Sequence, residues 1–353
     1  MEIQSALSIY VHNLSPFAVQ LGSTFGIRWY GLAYLAGFYL GYLIIRHLSQ
    51  RKLTQIAPEI SGDLVFALAL GAVIGGRLGY CLFYSPELFF RFSSDLPFWG
   101  VLAINEGGMA SHGGIAGVMF SAYLFARKRG ISALHLIDLA TLGGSIGIFF
   151  GRLANFVNGE LIGRPVESIV PWAVKFPQDI LAWPTQSPDK LALLEPLVAK
   201  VGVNASLWKQ WTLNLPIYYG KIQATLYSLI DAIQSGNQEL RQGLGQYLVA
   251  RHPSQIYAAL LEGALVFFVL LFFWRRPQKP GVIAAIFGIT YAVVRIIGEA
   301  FRMPDAHIGF EIFGFTRGQL LSFVMLAVMI ALLFIAKRRN VELTGGWLRD
   351  KTN

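Results

Sequence analysis

Apolar residues recur along this chain in seven long runs broken by short polar stretches: Trp29 to Ile45, Asp63 to Tyr84, His112 to Ala126, Leu136 to Val157, Tyr257 to Trp274, Gly281 to Ile297 and Gly318 to Ala336. Each comes near the ~20 residues that a helix needs to cross a bilayer. The pattern predicts an all-α polytopic membrane protein with seven transmembrane helices, built as one membrane domain over residues 1–353. One interval breaks the rhythm. Between the fourth and fifth helices, residues 178–250 combine Pro-rich loops with a helix-like run from Gln223 to Leu248 that is too polar to span, which predicts an external insert subdomain.

Charge orients this pattern. If the runs alternate direction, the clusters Arg46/Arg51/Lys52, Arg127/Lys128/Arg129, Arg275/Arg276/Lys279 and Lys337/Arg338/Arg339 all fall on one side. Short loops rich in Lys and Arg stay cytoplasmic, so the N-terminus is expected outside, the C-terminus in the cytoplasm and the insert on the external, periplasmic side. Met1 to Gly26 hold no Lys or Arg, unlike the positive start of a cleaved signal peptide. With 54% hydrophobic residues, 14% charged residues and a mean hydropathy of +0.52, the chain is too apolar for a soluble globular protein. A formal charge of +9 would suit nucleic acid, but the basic residues sit between apolar runs rather than along one face. Nucleic acid is therefore excluded as a partner, and membrane lipids are expected.

Polar residues inside the runs carry the candidate chemistry. The second, fourth and sixth runs each hold one arginine late in their course: Arg77, Arg152 and Arg295. At ~1.5 Å rise per residue these lie roughly 21–24 Å from the inner boundaries, in the outer third of the bilayer. Tyr30 and His112 open inward-running helices at the same level. An arginine at the centre of a membrane helix costs about 2.5–3.5 kcal/mol on insertion scales, so one that is kept marks a functional site by default. The competing reading is that each snorkels to the headgroups, and for Arg77, inside Gly75-Gly76-Arg77-Leu78-Gly79, the glycines serve close helix packing equally well. Three arginines sharing one depth favour a site.

The densest stretch is Gly151-Arg152-Leu-Ala-Asn155-Phe-Val-Asn158-Gly-Glu160-Leu-Ile-Gly163. His112 sits between Glu106-Gly107-Gly108 and Gly113-Gly114, where glycines admit close approach of a ligand and the imidazole can move a proton near neutral pH. Blandly, it is a surface histidine at a helix entry. Arg251-His252-Pro253-Ser254-Gln255 is polar beyond the needs of the helix start it resembles. Steps of four from Tyr291 through Arg295 to Glu299 keep those three on one face, where Glu299 can pair with Arg295 or Arg302. Cys81, alone in an apolar run, reads as a packing residue.

These motifs together resemble the bacterial prolipoprotein diacylglyceryl transferases. The signature 151–163 is specific, and it is joined in order by Ile27-Arg28-Trp29-Tyr30-Gly31, the His112-Gly-Gly motif, Arg251-His-Pro-Ser-Gln255, the Tyr291/Arg295/Glu299/Arg302 face and Gly318-Gln319. The resemblance covers nearly the whole chain except the insert. It implies a multi-pass enzyme of the bacterial cytoplasmic (inner) membrane. Its reaction would move the diacylglyceryl group of phosphatidylglycerol to the lipobox cysteine of a preprolipoprotein signal peptide, with release of glycerol 1-phosphate. By the same resemblance Arg152 and Arg295 are essential and hold the phospholipid headgroup, while Tyr30, His112, Asn155 and Gly163 are important; Glu160, Glu299 and Arg302 complete the headgroup-binding set. Two departures stand out: the insert is longer than the usual connection, and Ala258 follows Tyr257 where relatives often carry glutamate.

The residues suit that chemistry on their own terms. A planar guanidinium fork binds phosphate and keeps its charge, which fits Arg152 and Arg295 to a phosphodiester leaving group. The cysteine thiol, with an ordinary pKa of about 8.5, must lose its proton; His112 or Tyr291 could take it, and His112 is preferred. Neither a cofactor nor a metal is expected, since Asp63, Asp138 and Asp305 are scattered and no metal-ligand spacing occurs. A transporter of a lipid or an anion would also place arginines in a membrane, but such carriers site their ligand near the midplane.

Overall fold

The computed structural model describes residues 9–20, 26–104, 107–168, 170–303 and 314–348. Among the described residues, a long helix stands at each of the seven apolar runs: α1 (Trp29–Gln50), α2 (Ser61–Phe83), α3 (Ser111–Arg129) and α4 (Ala133–Asn158), then α8 (Ser254–Trp274), α9 (Val282–Gly298) and α10 (Arg317–Arg338). Between α4 and α8 the insert contributes α5 (Ala205–Leu213), α6 (Leu215–Gln234) and α7 (Gln238–Gly245). Six of the seven long helices are apolar enough to cross a membrane; α3 is not among them. Its 19 residues include Gly113, Gly114 and Gly117 and end on Arg127-Lys128-Arg129, which dilute its apolar character. Helix ends overshoot the predicted runs where charge begins. α1 continues five residues past Ile45 through Arg46 and His47, because hydropathy marks the edge of the lipid while backbone hydrogen bonding ends the helix.

The chain divides into two compact units, Met1–Ala33 with Phe149–Leu261 and Val294–Leu320, and Tyr34–Ile148 with Glu262–Val293 and Leu321–Asn353. In the second unit, helices meet through glycine. Gly75 and Gly79 of α2 face Gly113, and Gly71 faces Gly117, so closely that a Cβ at any of them would strike the opposing backbone. Gly37 of α1 lies against Gly147 of α4, where a Cβ at Gly37 would strike backbone, and Gly41 and Gly143 form a tight but less crowded pair. Lipid offers no hydrophobic drive for helix association, so backbone approach through small residues supplies it. Asp138, buried in α4, accepts from the backbone N–H groups of Gly281 and Ala284, both at 2.7 Å, and so caps the start of α9 from another helix.

The first unit contains the insert, which packs as a water-soluble protein does. Trp183, Leu191, Leu194, Val198, Trp208, Ile222, Leu226, Leu229 and Ile233 are buried in one apolar cluster. A small sheet closes its neck: β1 (Tyr10–Val11) pairs parallel with β4 (Val174–Lys175), and β4 pairs antiparallel with β5 (Ala250–Arg251). The register Lys175↔Ala250 brings the two ends of the insert side by side. β2 (Phe17–Gln20) and β3 (Gly26–Arg28) form a separate two-stranded ribbon that leads into α1.

Candidate functional site

Beyond the end of α4 the chain turns at Gly159, whose φ of 69° is the left-handed conformation that glycine adopts without strain. The next residues, Glu160 to Arg164, are clasped from two directions within the first unit. From the α8 side, Gln255 donates its side-chain amide to the Glu160 carbonyl, Ser254 donates to Leu161 O at 2.9 Å, and Arg251 donates to Gly163 O at 3.1 Å. From beyond α9, Arg164 N–H donates to Phe301 O at 2.9 Å and its guanidinium to Arg302 O at 2.9 Å. Gly163 is buried where a Cβ would strike the carbonyl oxygens of His252 and Phe301, which explains the need for glycine there. The polar density of Arg251-His-Pro-Ser-Gln255 thus has a physical purpose: it grips the signature loop.

Arg251 reaches further. Its fork meets Asp179 in a bidentate pair, with Nη2 at 2.9 Å from both carboxylate oxygens and Nε at 3.1 Å from Oδ2. Each side chain is 10% exposed, so this pair is shielded from salt and water. Gln178 lies against Gly159 and donates to Asn158 O at 3.2 Å. The first two residues of the insert therefore brace the signature loop. Asp179 was not foreseen as part of the site, and its spacing of 72 residues from Arg251 gives a sequence reader no signal.

Two motifs, the 27–31 stretch and the signature itself, converge on one carboxylate. Glu160 accepts from the Tyr30 hydroxyl at 3.2 Å, from Asn155 at 3.4 Å and from Asn158 at 3.1 Å, while Asn155 also donates to the Tyr30 oxygen. Tyr30 from α1 and Asn155 from α4 are thereby locked together, and Arg152 sits half-buried one helical turn before Asn155. At the end of α9, Arg295 forms an ion pair with Glu299, one of the two pairings, with Arg295 or Arg302, that the sequence allows. The second oxygen of Glu299 accepts from the Thr316 hydroxyl at 3.1 Å. Thr316 and Gln319 cap α10 reciprocally, at 3.1 and 3.2 Å, in the manner of a capping box. Gly318 lies against this network, and a Cβ there would push on the Glu299 carboxylate. Arg302 enters through its backbone, bridged to Gly163.

The second unit holds the remaining candidates. His112 is exposed on the first turn of α3, beside Gly113 whose packing against Gly75 fixes the helix entry. Tyr291 donates its hydroxyl to Glu262 at 3.2 Å. Glu262 is buried and lies in a π-helical stretch, Ala259–Leu265, within α8; such insertions mark functional positions more often than chance. Sequence reasoning passed over Glu262, although a carboxylate within an apolar run was itself the available signal. Arg77 resolves toward its structural reading: it is buried, with Nε donating to Val101 O at 2.8 Å, Nη2 to Gly100 O at 2.7 Å, and Nη1 to the carbonyls of Gly107 and Gly108. Glu106, Pro304 and Asp305 lie outside the described residues.

Six helices long and apolar enough to cross a membrane, among the described residues, define the class as a multi-pass membrane protein, and its first unit ties an arginine, carboxylates and a tyrosine into polar networks. Residues 16–335 match the family described as prolipoprotein diacylglyceryl transferase. A protein of Bdellovibrio bacteriovorus named phosphatidylglycerol–prolipoprotein diacylglyceryl transferase is 48% identical over 96% of this chain and 97% of its own length. Proteins of the same name from Azospirillum brasilense and Rhodospirillum rubrum are 35% and 34% identical, each over 94% of this chain and over 98% and 96% of their own lengths. The chain belongs to the prolipoprotein diacylglyceryl transferase family, and it is a transferase rather than a carrier.

Proposed function

We propose that this protein transfers the diacylglyceryl group of phosphatidylglycerol to the lipobox cysteine of preprolipoproteins, from a site at the outer end of its helices in the bacterial inner membrane. The observation that carries this reading is the signature loop 159–164, held on both sides by motifs from α8 and α9 and joined through Glu160 to Tyr30 and Asn155. In the transfer, the cysteine sulfur forms a bond to the terminal glyceryl carbon of the lipid while that carbon's bond to the phosphate oxygen breaks. Glycerol 1-phosphate leaves with the bonding pair, and the thiol proton passes to a base. Arg152 and Arg295 stabilise the charge that gathers on the leaving phosphate. Glu299 orients the Arg295 fork, and Tyr30, Asn155 and Glu160 hold the end of α4 and the loop so that Arg152 keeps its aim. His112 takes the thiol proton; Tyr291, whose hydroxyl is committed to Glu262, is the second candidate.

The same reading gives the chain seven spans, with α3 as the seventh, an external N-terminus, a cytoplasmic C-terminus and residues 178–250 as a periplasmic insert. What supports it is the basic cluster at one end of α1, α3, α8 and α10. The test is to incubate the purified protein with phosphatidylglycerol and a short lipobox peptide and weigh the peptide. A diacylglyceryl mass gain with release of glycerol phosphate is expected. Passage of labelled lipid across a vesicle with no change in peptide mass would overturn it.

A further inference from the structure

Where α5 meets α6, the insert turns an elbow at Asn214 and presents its most exposed aliphatic side chains, Leu213 at 75% and Ile217 at 76%. Leu207 on α5 and Tyr219 on α6 are exposed as well. The opposite face of α6, through Ile222, Leu226 and Leu229, is already buried in the insert core, so these outward residues add nothing to folding. In a part of the chain too polar to span, two large aliphatic side chains this exposed and this close in the chain are out of place unless something covers them.

The surroundings say what does. Next to the pair in the chain, Tyr218 and Trp211, the latter half-buried against the insert core, have ring centroids 6.4 Å apart, and the ammonium of Lys221 sits 5.5 Å from the Trp211 ring and 5.4 Å from the Tyr218 ring. Lys209 is exposed on the same turn of α5. From Pro196 to Ile230 the chain holds Lys200, Lys209 and Lys221 and not one Asp or Glu, although the flanking segments carry both. Lys200 is paired with Glu239, which leaves Lys209 and Lys221 as the charge of the elbow. Aliphatic tips that enter the acyl boundary, tryptophan and tyrosine at headgroup depth, and lysines that extend toward anionic headgroups form the combination a lipid surface selects. A short chain of contacts also ties the elbow to the membrane end of the unit. Gln223, roughly 9 Å along α6 from Ile217 at ~1.5 Å per residue, donates to Leu181 O at 3.2 Å. Three residues before Leu181, Gln178 touches the last residues of α4.

We infer that the Leu213–Ile217 elbow docks on the surface of an anionic lipid leaflet, so that the insert is held down beside the site by contact with the membrane rather than standing free of it. The test uses the full-length protein in nanodiscs, with Cys81→Ala to leave no native thiol. Leu213→Cys or Ile217→Cys carries an environment-sensitive dye, and Gln238→Cys, exposed on α7, serves as reference. With shallow spin-labelled lipid in bilayers containing phosphatidylglycerol, quenching at positions 213 and 217 should exceed that at 238 at least threefold. Lys209→Glu with Lys221→Glu should reduce it by half or more, as should replacing phosphatidylglycerol by phosphatidylcholine. Quenching at 213 and 217 no greater than at 238 overturns the inference, as does quenching indifferent to both charge changes. Dye responses that arise only on adding a preprolipoprotein peptide would assign the elbow to the protein substrate and overturn it as well.

Discussion

Arg77 and Arg295 look alike as sequence: each is a lone arginine late in an apolar helix with glycine nearby. Their surroundings differ in kind. The donors of Arg77 are spent on four backbone carbonyls of the loop between α2 and α3, so its charge organises main chain. Arg295 is met by the Glu299 carboxylate, which also accepts from Thr316. A carboxylate offers a guanidinium the same planar, two-oxygen acceptor that a phosphate offers, so a headgroup can share or exchange that partner. A fork saturated by carbonyls has no such exchange available without unfolding the loop. The partner thus separates the structural role of Arg77 from the headgroup role proposed for Arg295.

Substitution at both positions puts this contrast at risk, and the largest effect is expected at Arg77. Arg77→Leu orphans the carbonyls of Gly100, Val101, Gly107 and Gly108; at ~1–3 kcal/mol per unsatisfied group the loss should reach roughly 4 kcal/mol or more. Thermal unfolding in detergent should show it as a large fall in Tm, and an unchanged Tm would break the comparison. Arg295→Lys, or Arg152→Lys, should instead keep Tm within a few degrees and cut kcat/KM at least ~100-fold, about 2.7 kcal/mol, because a point ammonium cannot reproduce the fork. Near-normal turnover in both lysine variants would remove the headgroup role.

A third buried polar group sharpens the point from another side. His12 is 1% exposed, with its ring against Phe156 and Phe176. Burial, offset in part by the Phe156 backbone and assisted by Arg241, holds its pKa down at about 4 from an ordinary 6.5. The folded chain keeps this imidazole neutral while the unfolded chain protonates it below 6.5. Stability should therefore fall as pH drops from 6.5 to about 4 and then level off, by about 3 kcal/mol in all. His12→Phe should flatten that part of the Tm–pH curve; an unaltered acid slope in the variant would refute the assignment.

Among the proton candidates the expected effect falls on the chemical step rather than on stability. His112→Gln should slow the chemical step about 10²–10⁴-fold with little change in phospholipid affinity, and Tyr291→Phe should be the milder change. Rates against pH with peptide saturating would reverse the assignment if Tyr291→Phe alone abolished turnover. Smallest of all should be the effect of shortening the insert. Because Lys175 and Ala250 are paired, residues 181–249 can be replaced by a short linker while Gln178 and Asp179 stay in place to brace the loop. Activity on a short soluble lipobox peptide should change by less than about threefold, since exposed loops tolerate excision when the bonded backbone around them is spared. A linker that also removes Asp179 should cost far more, because Arg251 would be left as an unpaired buried charge.

Reading the chain as sequence located much of this, for identifiable reasons. Lipid leaves a backbone no choice but helix, so each apolar run announced an element. The site motifs were legible because polar residues at membrane depth are costly and stand out. What could not be read was partnership. Nothing in the sequence supplies Arg77 with its carbonyl partners, joins Asp179 to Arg251 or sets Glu262 under the Tyr291 hydroxyl, since each depends on segments brought together by folding.

By itself, the sequence determined the class of fold, the run of helices, the insert as a polar interruption and the family, because these depend on local composition and on motifs that lie contiguous in the chain. Only the tertiary structure decided which polar residues brace and which remain exchangeable. It turned Arg251-His-Pro-Ser-Gln255 from a helix start into the grip on the signature loop, and made Gly163 obligatory by setting it against two carbonyl oxygens. The reason is physical: a hydrogen bond or an ion pair is a property of two groups and the distance between them, and a sequence supplies the groups without the distance.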